Sequence, residues 1–264
     1  MKTKFVQLDE GRIEICEGGI KNSRTIVFAH GLGSQIHQWD NQMEFFEDEY
    51  HVLAFSLQGH GESWKPEENR YFTIESYGNT IINVLDRLGI NECIWIGNSM
   101  GGVLGYHIMK LRPKLISHLI TNGTTPELIL PKVLISLVYL MDKVLIKLMG
   151  FEGYIRFAAT HATDVPKAKE KLYDIMIKTT PQAVIASHIL LGNYSYLEVL
   201  EKTNVPITII KNPKDKDINK YLKEYQQYLD KNDLIEVIEF EDTGHIANIE
   251  KGEEYNDLIK KIVD

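Results

Sequence analysis

Cysteine is almost missing from this chain of 264 residues: Cys16 and Cys93 are the only two. They lie in separate strand-like segments, so they make no disulfide framework, and nothing around them has the spacing of a metal site. Both read as buried, reduced thiols. Long hydrophobic runs are missing as well. The longest apolar stretch, residues 133–141, falls far short of the roughly 20 residues that a membrane span takes, so no stable membrane insertion is expected. Positive charge is in deficit, with 29 Lys and Arg against 37 Asp and Glu and a net charge of −8. An acidic surface repels nucleic acid and anionic lipid, and neither is expected as a partner. The segment from Met1 to Asp9 holds no apolar leader core, which makes the cytoplasm the expected location. Cofactor loops are missing too. Gly31-Leu32-Gly33 lacks the third glycine of a dinucleotide loop, and neither a P-loop nor a metal-binding H-E-x-x-H occurs, so no cofactor or metal is expected.

What remains is ordinary for a globular α/β chain, with 44% hydrophobic and 25% charged residues. The length suits one large domain with an insertion. Phe5–Leu8 and Arg12–Cys16 flank Asp9-Glu10-Gly11 as an opening hairpin. Short apolar strands follow at Thr25–Ala29, His51–Leu57, Glu92–Ile96 and Ile116–Ile120, with helical segments between them. In Ile74–Leu88 the residues Ile74, Tyr77, Ile81, Val84, Leu85 and Leu88 share one face, and Gly89 ends the helix. Strands that are apolar throughout belong to a mostly parallel sheet covered on both faces. The rhythm breaks at about 125–196, which reads as helical without a convincing strand. It resumes with strands at Pro206–Ile210 and Leu234–Phe240, a helix at Asp217–Asp230 and a last helix to Val263. The middle block reads as a helical cap over the strand ends. Its first helix has a wide apolar face, with Leu134, Leu137, Leu140, Met141, Leu145 and Leu148, expected to pack on the core and line a pocket.

The stretch 93–102, Cys-Ile-Trp-Ile-Gly-Asn-Ser-Met-Gly-Gly, carries the chemistry. A strand runs into Gly97-x-Ser99-x-Gly101, and a helix-compatible segment follows. That context implies a sharp turn that lifts the Ser99 hydroxyl beyond the sheet, with glycines where a Cβ would collide. A serine hydroxyl needs a base, usually histidine held by a carboxylate, and such elbows place them in the order serine, acid, histidine. His245, in Asp242-Thr243-Gly244-His245 after the last strand, is the expected base. Asp215, beyond Pro206–Ile210, is the expected acid. Asp217 is the alternative, unless it caps the following helix, and Glu127 is a distant third. His30 and His60 sit in glycine-rich loops and read as structural. His37, His51, His107, His118, His161 and His188 read as surface or core residues. Two backbone N–H groups should hold the developing oxyanion, one from Met100 at a helix N-terminus and one from Leu32 in the glycine-rich loop.

Taken together, His30-Gly31-Leu32-Gly33, Gly59-His60-Gly61-Glu62-Ser63, the elbow at Ser99, Val205-Pro206 leading to Asp215, and Gly244-His245 resemble the α/β-hydrolase superfamily over nearly the full chain. The resemblance implies an α/β-hydrolase fold: a mostly parallel eight-stranded sheet with helices on both faces and an inserted helical cap. The core would be 1–124 and 197–264, the cap 125–196. By the same resemblance Ser99 is the nucleophile, Asp215 the acid and His245 the base, with Leu32 and Met100 in the oxyanion hole. Three positions depart from the family pattern. Ser56 replaces an aspartate, Asn212 replaces a glycine and leaves Asp217 open as the acid, and Asn98 stands where histidine is common. Gly-Asn-Ser-Met-Gly-Gly is similar to the elbow of carbon–carbon bond hydrolases that act on ring-cleavage products, although those usually carry a longer glycine-rich oxyanion loop. Dehalogenase and epoxide-hydrolase relatives use an aspartate nucleophile, so Ser99 argues against both. The expected function is a cofactor-independent serine hydrolase that cleaves a carboxylic ester, thioester or lactone of a small hydrophobic substrate through an acyl-enzyme. The competing expectations are carbon–carbon hydrolysis and a non-catalytic ligand sensor on the same fold.

Overall fold

The computed structural model describes residues 1–264. Strands β1 (Lys2–Gln7) and β2 (Arg12–Gly18) form the antiparallel opening hairpin. Then β3 (Thr25–Ala29), α1 (Asp40–Phe46), β4 (His51–Phe55), α2 (Ile74–Arg87), β5 (Cys93–Asn98), α3 (Met100–Leu111) and β6 (Ile116–Asn122) alternate. Helix α2 begins where the Thr73 hydroxyl accepts the Ser76 N–H and ends before Gly89, whose φ of +71° an L side chain resists.

Strand β7 (Glu127–Ile129) follows β6 and pairs antiparallel with β8 (Asn193–Ser195). The sequence reading expects no strand in this block, and the pair corrects it. Three residues are too few to show alternation, and the partners lie at opposite ends of the block. Between them run α4 (Lys132–Ala162), α5 (Pro166–Met176) and α6 (Pro181–Leu190). Helix α4 breaks at Gly150, whose φ of 71° and ψ of 166° are essentially open to glycine alone. Before the break, the apolar face does not pack as expected. Leu145 is partly covered, but Leu137, Leu140 and Leu148 are 50%, 56% and 78% exposed. After the break, Tyr154, Ile155 and Ala159 pack with Leu172, Met176 and Val184. Periodicity identifies an apolar face but not what lies opposite it.

The chain returns through α7 (Leu197–Lys202), β9 (Ile207–Lys211), α8 (Lys216–Glu224), α9 (Gln226–Leu229), β10 (Ile235–Glu239), α10 (Ala247–Glu250) and α11 (Gly252–Val263). The single helix expected over 217–230 is two, separated at Tyr225. The sheet order is β1-β2-β4-β3-β5-β6-β9-β10, parallel from β4 onward. Period-two alternation divides each central strand between two cores. Val27, Leu53, Phe55 and Trp95 face α2 and α3, while Ile26, Phe28, Val52 and Ile96 face α1 and α11. Each such side chain, buried whole, contributes about 1.5–3 kcal/mol. Cys93 is buried and Cys16 only half-buried, and neither forms a disulfide. The carboxyl ends of β3, β5, β9 and β10 all open on one edge, which is where the candidate side chains stand.

Candidate active site

Ser99 sits between β5 and α3 with φ 52° and ψ −117°; only one other non-glycine residue, Asp242, has a positive φ. The strain is held because the chain is crossed on both sides. A Cβ on Gly97 would overlap the Gly101 backbone, and one on Gly101 would overlap the Ala29 carbonyl. Ser99 N–H also donates to the Asn122 carbonyl at 2.8 Å. Met100 is the first residue of α3, where an N–H has no acceptor within the helix and the dipole favours an anion. The glycine-rich loop abuts this turn, since a Cβ on Gly31 would lie 3.3 Å from Ser99 Cβ. His30 braces the loop. Its Nδ1 donates to the Gly31 carbonyl at 2.7 Å, and its Nε2 accepts the Leu57 N–H at 3.0 Å. Burial pushes this imidazole down to about 4, so it stays neutral, in the tautomer those partners define.

His245 follows β10, and its Nδ1 donates to Asp215 Oδ2 at 2.7 Å. That bond leaves Nε2 as the acceptor. Burial disfavours the charged ring. The hydrogen bond and charge of Asp215, helped by Glu250 and Asp217, outweigh it, so the imidazole is raised above 6.5. Asp215 is the residue before α8, yet its side chain caps no helix N–H and turns to His245 instead. Asp217 lies exposed in the first turn of α8 and makes no bond to the ring. Glu127 lies in β7 and makes no bond to the ring.

Side-chain amides whose partners no motif names hold these loops together. Asn98 Nδ2 donates to the carbonyls of His245 at 2.8 Å and Asn122 at 3.2 Å, while its Oδ1 accepts from Gln38 at 2.8 Å. Asn122 Nδ2 donates to the same His245 carbonyl at 3.2 Å. Asn212 Nδ2 donates to Asn122 Oδ1 at 2.8 Å, and its own Oδ1 accepts the Thr243 hydroxyl at 3.1 Å. Two of the three departures from the family pattern are therefore tethers. The third, Ser56, borrows a carboxylate from another strand: its hydroxyl donates to buried Glu14 at 2.7 Å and accepts the Ile36 N–H at 3.2 Å.

Ser99, His245 and Leu32 line one cavity of about 290 Å³ beneath α4, α5 and α6. Asp215 stands behind His245, and Met100 is buried under Ser99. A larger cleft, of about 790 Å³ between α6, α4 and the start of α2, contains neither serine nor imidazole. We place the chemistry in the smaller space because reactive groups converge there. The cavity wall also includes His188, which the sequence reading assigns to surface or core. The only local sign of it was a single histidine in the otherwise uncharged helix α6.

A model of the α/β-hydrolase fold family matches residues 24–252. The 3-oxoadipate enol-lactonase 2 of Acinetobacter baylyi is 22% identical over 244 residues, which span 90% of this chain and 88% of that protein. Strigolactone esterase D14 of Arabidopsis thaliana is 24% identical over 245 residues, 86% of this chain and 87% of that one. An esterase structure from Exiguobacterium antarcticum superposes with a TM-score of 0.85 at 17% identity, over 99% of each chain, a likeness of fold. No helix is long and apolar enough to cross a membrane.

Proposed function

The chain belongs to the α/β-hydrolase fold family, and from that premise we propose that it hydrolyses a carboxylic ester or lactone of a small, largely apolar substrate through an acyl-enzyme. Ser99 Oγ attacks the acyl carbon while His245 Nε2 takes its proton. Asp215 holds the imidazole in the required tautomer and balances its charge. The N–H groups of Met100 and Leu32 receive the oxyanion. The alcohol leaves with the proton from His245, or stays tethered if the substrate is a lactone. Water, deprotonated by the same base, then releases the acid. The observation that carries this reading is the 2.7 Å His245–Asp215 bond, with His245 and the strained Ser99 lining one cavity. The ester and lactone activities named for the relatives support the substrate class.

Asn98 motivates the carbon–carbon alternative, but both of its amide hydrogens are committed to the Asn122 and His245 carbonyls. It has no donor left for a diketone, which favours ester chemistry. A fluorophosphonate probe should label the wild type at Ser99, and Ser99→Ala should lose labelling and about 10⁴-fold or more of kcat on short esters. Unlabelled, folded wild-type protein would instead mark a ligand sensor. Much higher efficiency on a ring-cleavage diketone than on any ester would restore carbon–carbon hydrolysis.

A further inference from the structure

The steps above leave one imidazole on the cavity wall without a task. His188 of α6 lines the same space as Ser99 and His245. Its Nδ1 lies 2.7 Å from Oδ2 of Asp142. Asp142, on α4, is 5% exposed, and its other oxygen accepts the Tyr154 hydroxyl at 2.9 Å. Burial first, and the Asp142 charge second, push the Tyr154 phenol upward, so it remains a donor. The carboxylate is thus bound on both oxygens, once across the Gly150 break and once from α6. His188 repeats the wiring of His245, with a carboxylate behind Nδ1 and Nε2 unengaged. The ring is not sealed off between the helices: 34% of the side chain is exposed, and it forms part of the cavity wall.

We propose that His188 Nε2 hydrogen-bonds a neutral oxygen of the substrate, a carbonyl or hydroxyl set apart from the scissile group, and so selects oxygenated esters or lactones over plain hydrocarbon ones. This rests on the hydrolase reading above. The neutral imidazole offers Nε2 as an acceptor to a hydroxyl, and the protonated ring offers a donor to a carbonyl. An anionic group is disfavoured. No Lys or Arg lines the cavity, the chain carries −8, and Asp142 accompanies any charge on His188.

The test compares kcat/KM on matched pairs. On the acyl side these are para-nitrophenyl pentanoate and para-nitrophenyl levulinate, its keto analogue of equal length. On the alcohol side they are butyl acetate and hydroxybutyl acetate. The wild type should prefer the oxygenated member on one side by about tenfold, mainly through KM, as one good hydrogen bond allows. His188→Leu should bring that ratio to about one. His188→Gln, which keeps a donor and an acceptor, should retain part of it, and Asp142→Asn should fall between. The wild-type ratio needs no variant, so misfolding of a substituted protein leaves the test intact. A ratio near one on both sides overturns the inference, as does a preference that persists in His188→Leu. A para-nitrophenyl glutarate monoester cleaved faster than the levulinate overturns the neutral-oxygen assignment. Hydrolysis of plain esters without preference sinks this inference alone. No hydrolysis together with no fluorophosphonate labelling sinks the hydrolase reading and this inference with it.

Discussion

His245 is pulled two ways, by burial against its charge and by Asp215 in favour of it, and the second prevails. A base must be neutral to accept a proton, so kcat/KM should rise with pH along an acidic limb centred above 6.5. Asp215→Asn removes the raising influence, so the limb should move to lower pH. The lost tautomer should cost about 10⁴-fold in kcat. Asp217→Asn removes a screened, exposed charge, so the limb should shift slightly downward with kcat within about twofold. Comparable losses in the two variants would contradict the assignment of the acid. Ser99 and His245 stand out in the sequence because each is embedded in a local pattern of glycine and strand end, and both line one cavity. For the acid the sequence favours Asp215 and leaves Asp217 as the alternative, because both follow the same strand and only the way the side chains turn, Asp215 toward His245, separates them. Asn98 and Asn212 stood out only as departures from a pattern, while Gln38 and Asn122 were silent; the tethering of all four was hidden, since their partners are distant in the chain and amides leave no periodic trace. The same holds for His188 and Asp142, joined only in space.

Helix α4 shows how one backbone angle shapes an element. Gly150 has open space around it, so a methyl group meets nothing, but its φ and ψ exclude other residues. Gly150→Ala should therefore cost about 1–3 kcal/mol in urea unfolding. It should also raise KM more than it lowers kcat, because Tyr154 and Asp142 lie on opposite sides of the break. Stability equal to wild type would mean that the break is not needed. The sheet strands and α2 were legible from apolar runs and helical spacing. The β7–β8 pair was not, being too short to alternate. The break itself had a sign in Gly150, but glycine inside an apolar run does not say which way the chain bends.

Across the whole molecule, alternating strand residues feed two cores, and helices α4 to α6 add a third, smaller cluster around Tyr154 and Ile246. The alternation of strands and helices was legible; the placement of the apolar surface of α4 was not, because it depends on tertiary packing. Leu137 and Leu148 make little use of burial. Leu137→Gln with Leu148→Gln should shift Tm by no more than about 2 °C, while lowering dye binding to exposed apolar surface. A larger drop in Tm would show that this face is covered in solution. The grip on the loop of His245 has a wider consequence. Asn98 and Asn122 hold residue 245 by its main-chain carbonyl, and only Asp215 addresses the ring. The clamp is blind to which side chain stands there, so substitution can retool the reaction without dismantling the chassis beneath it.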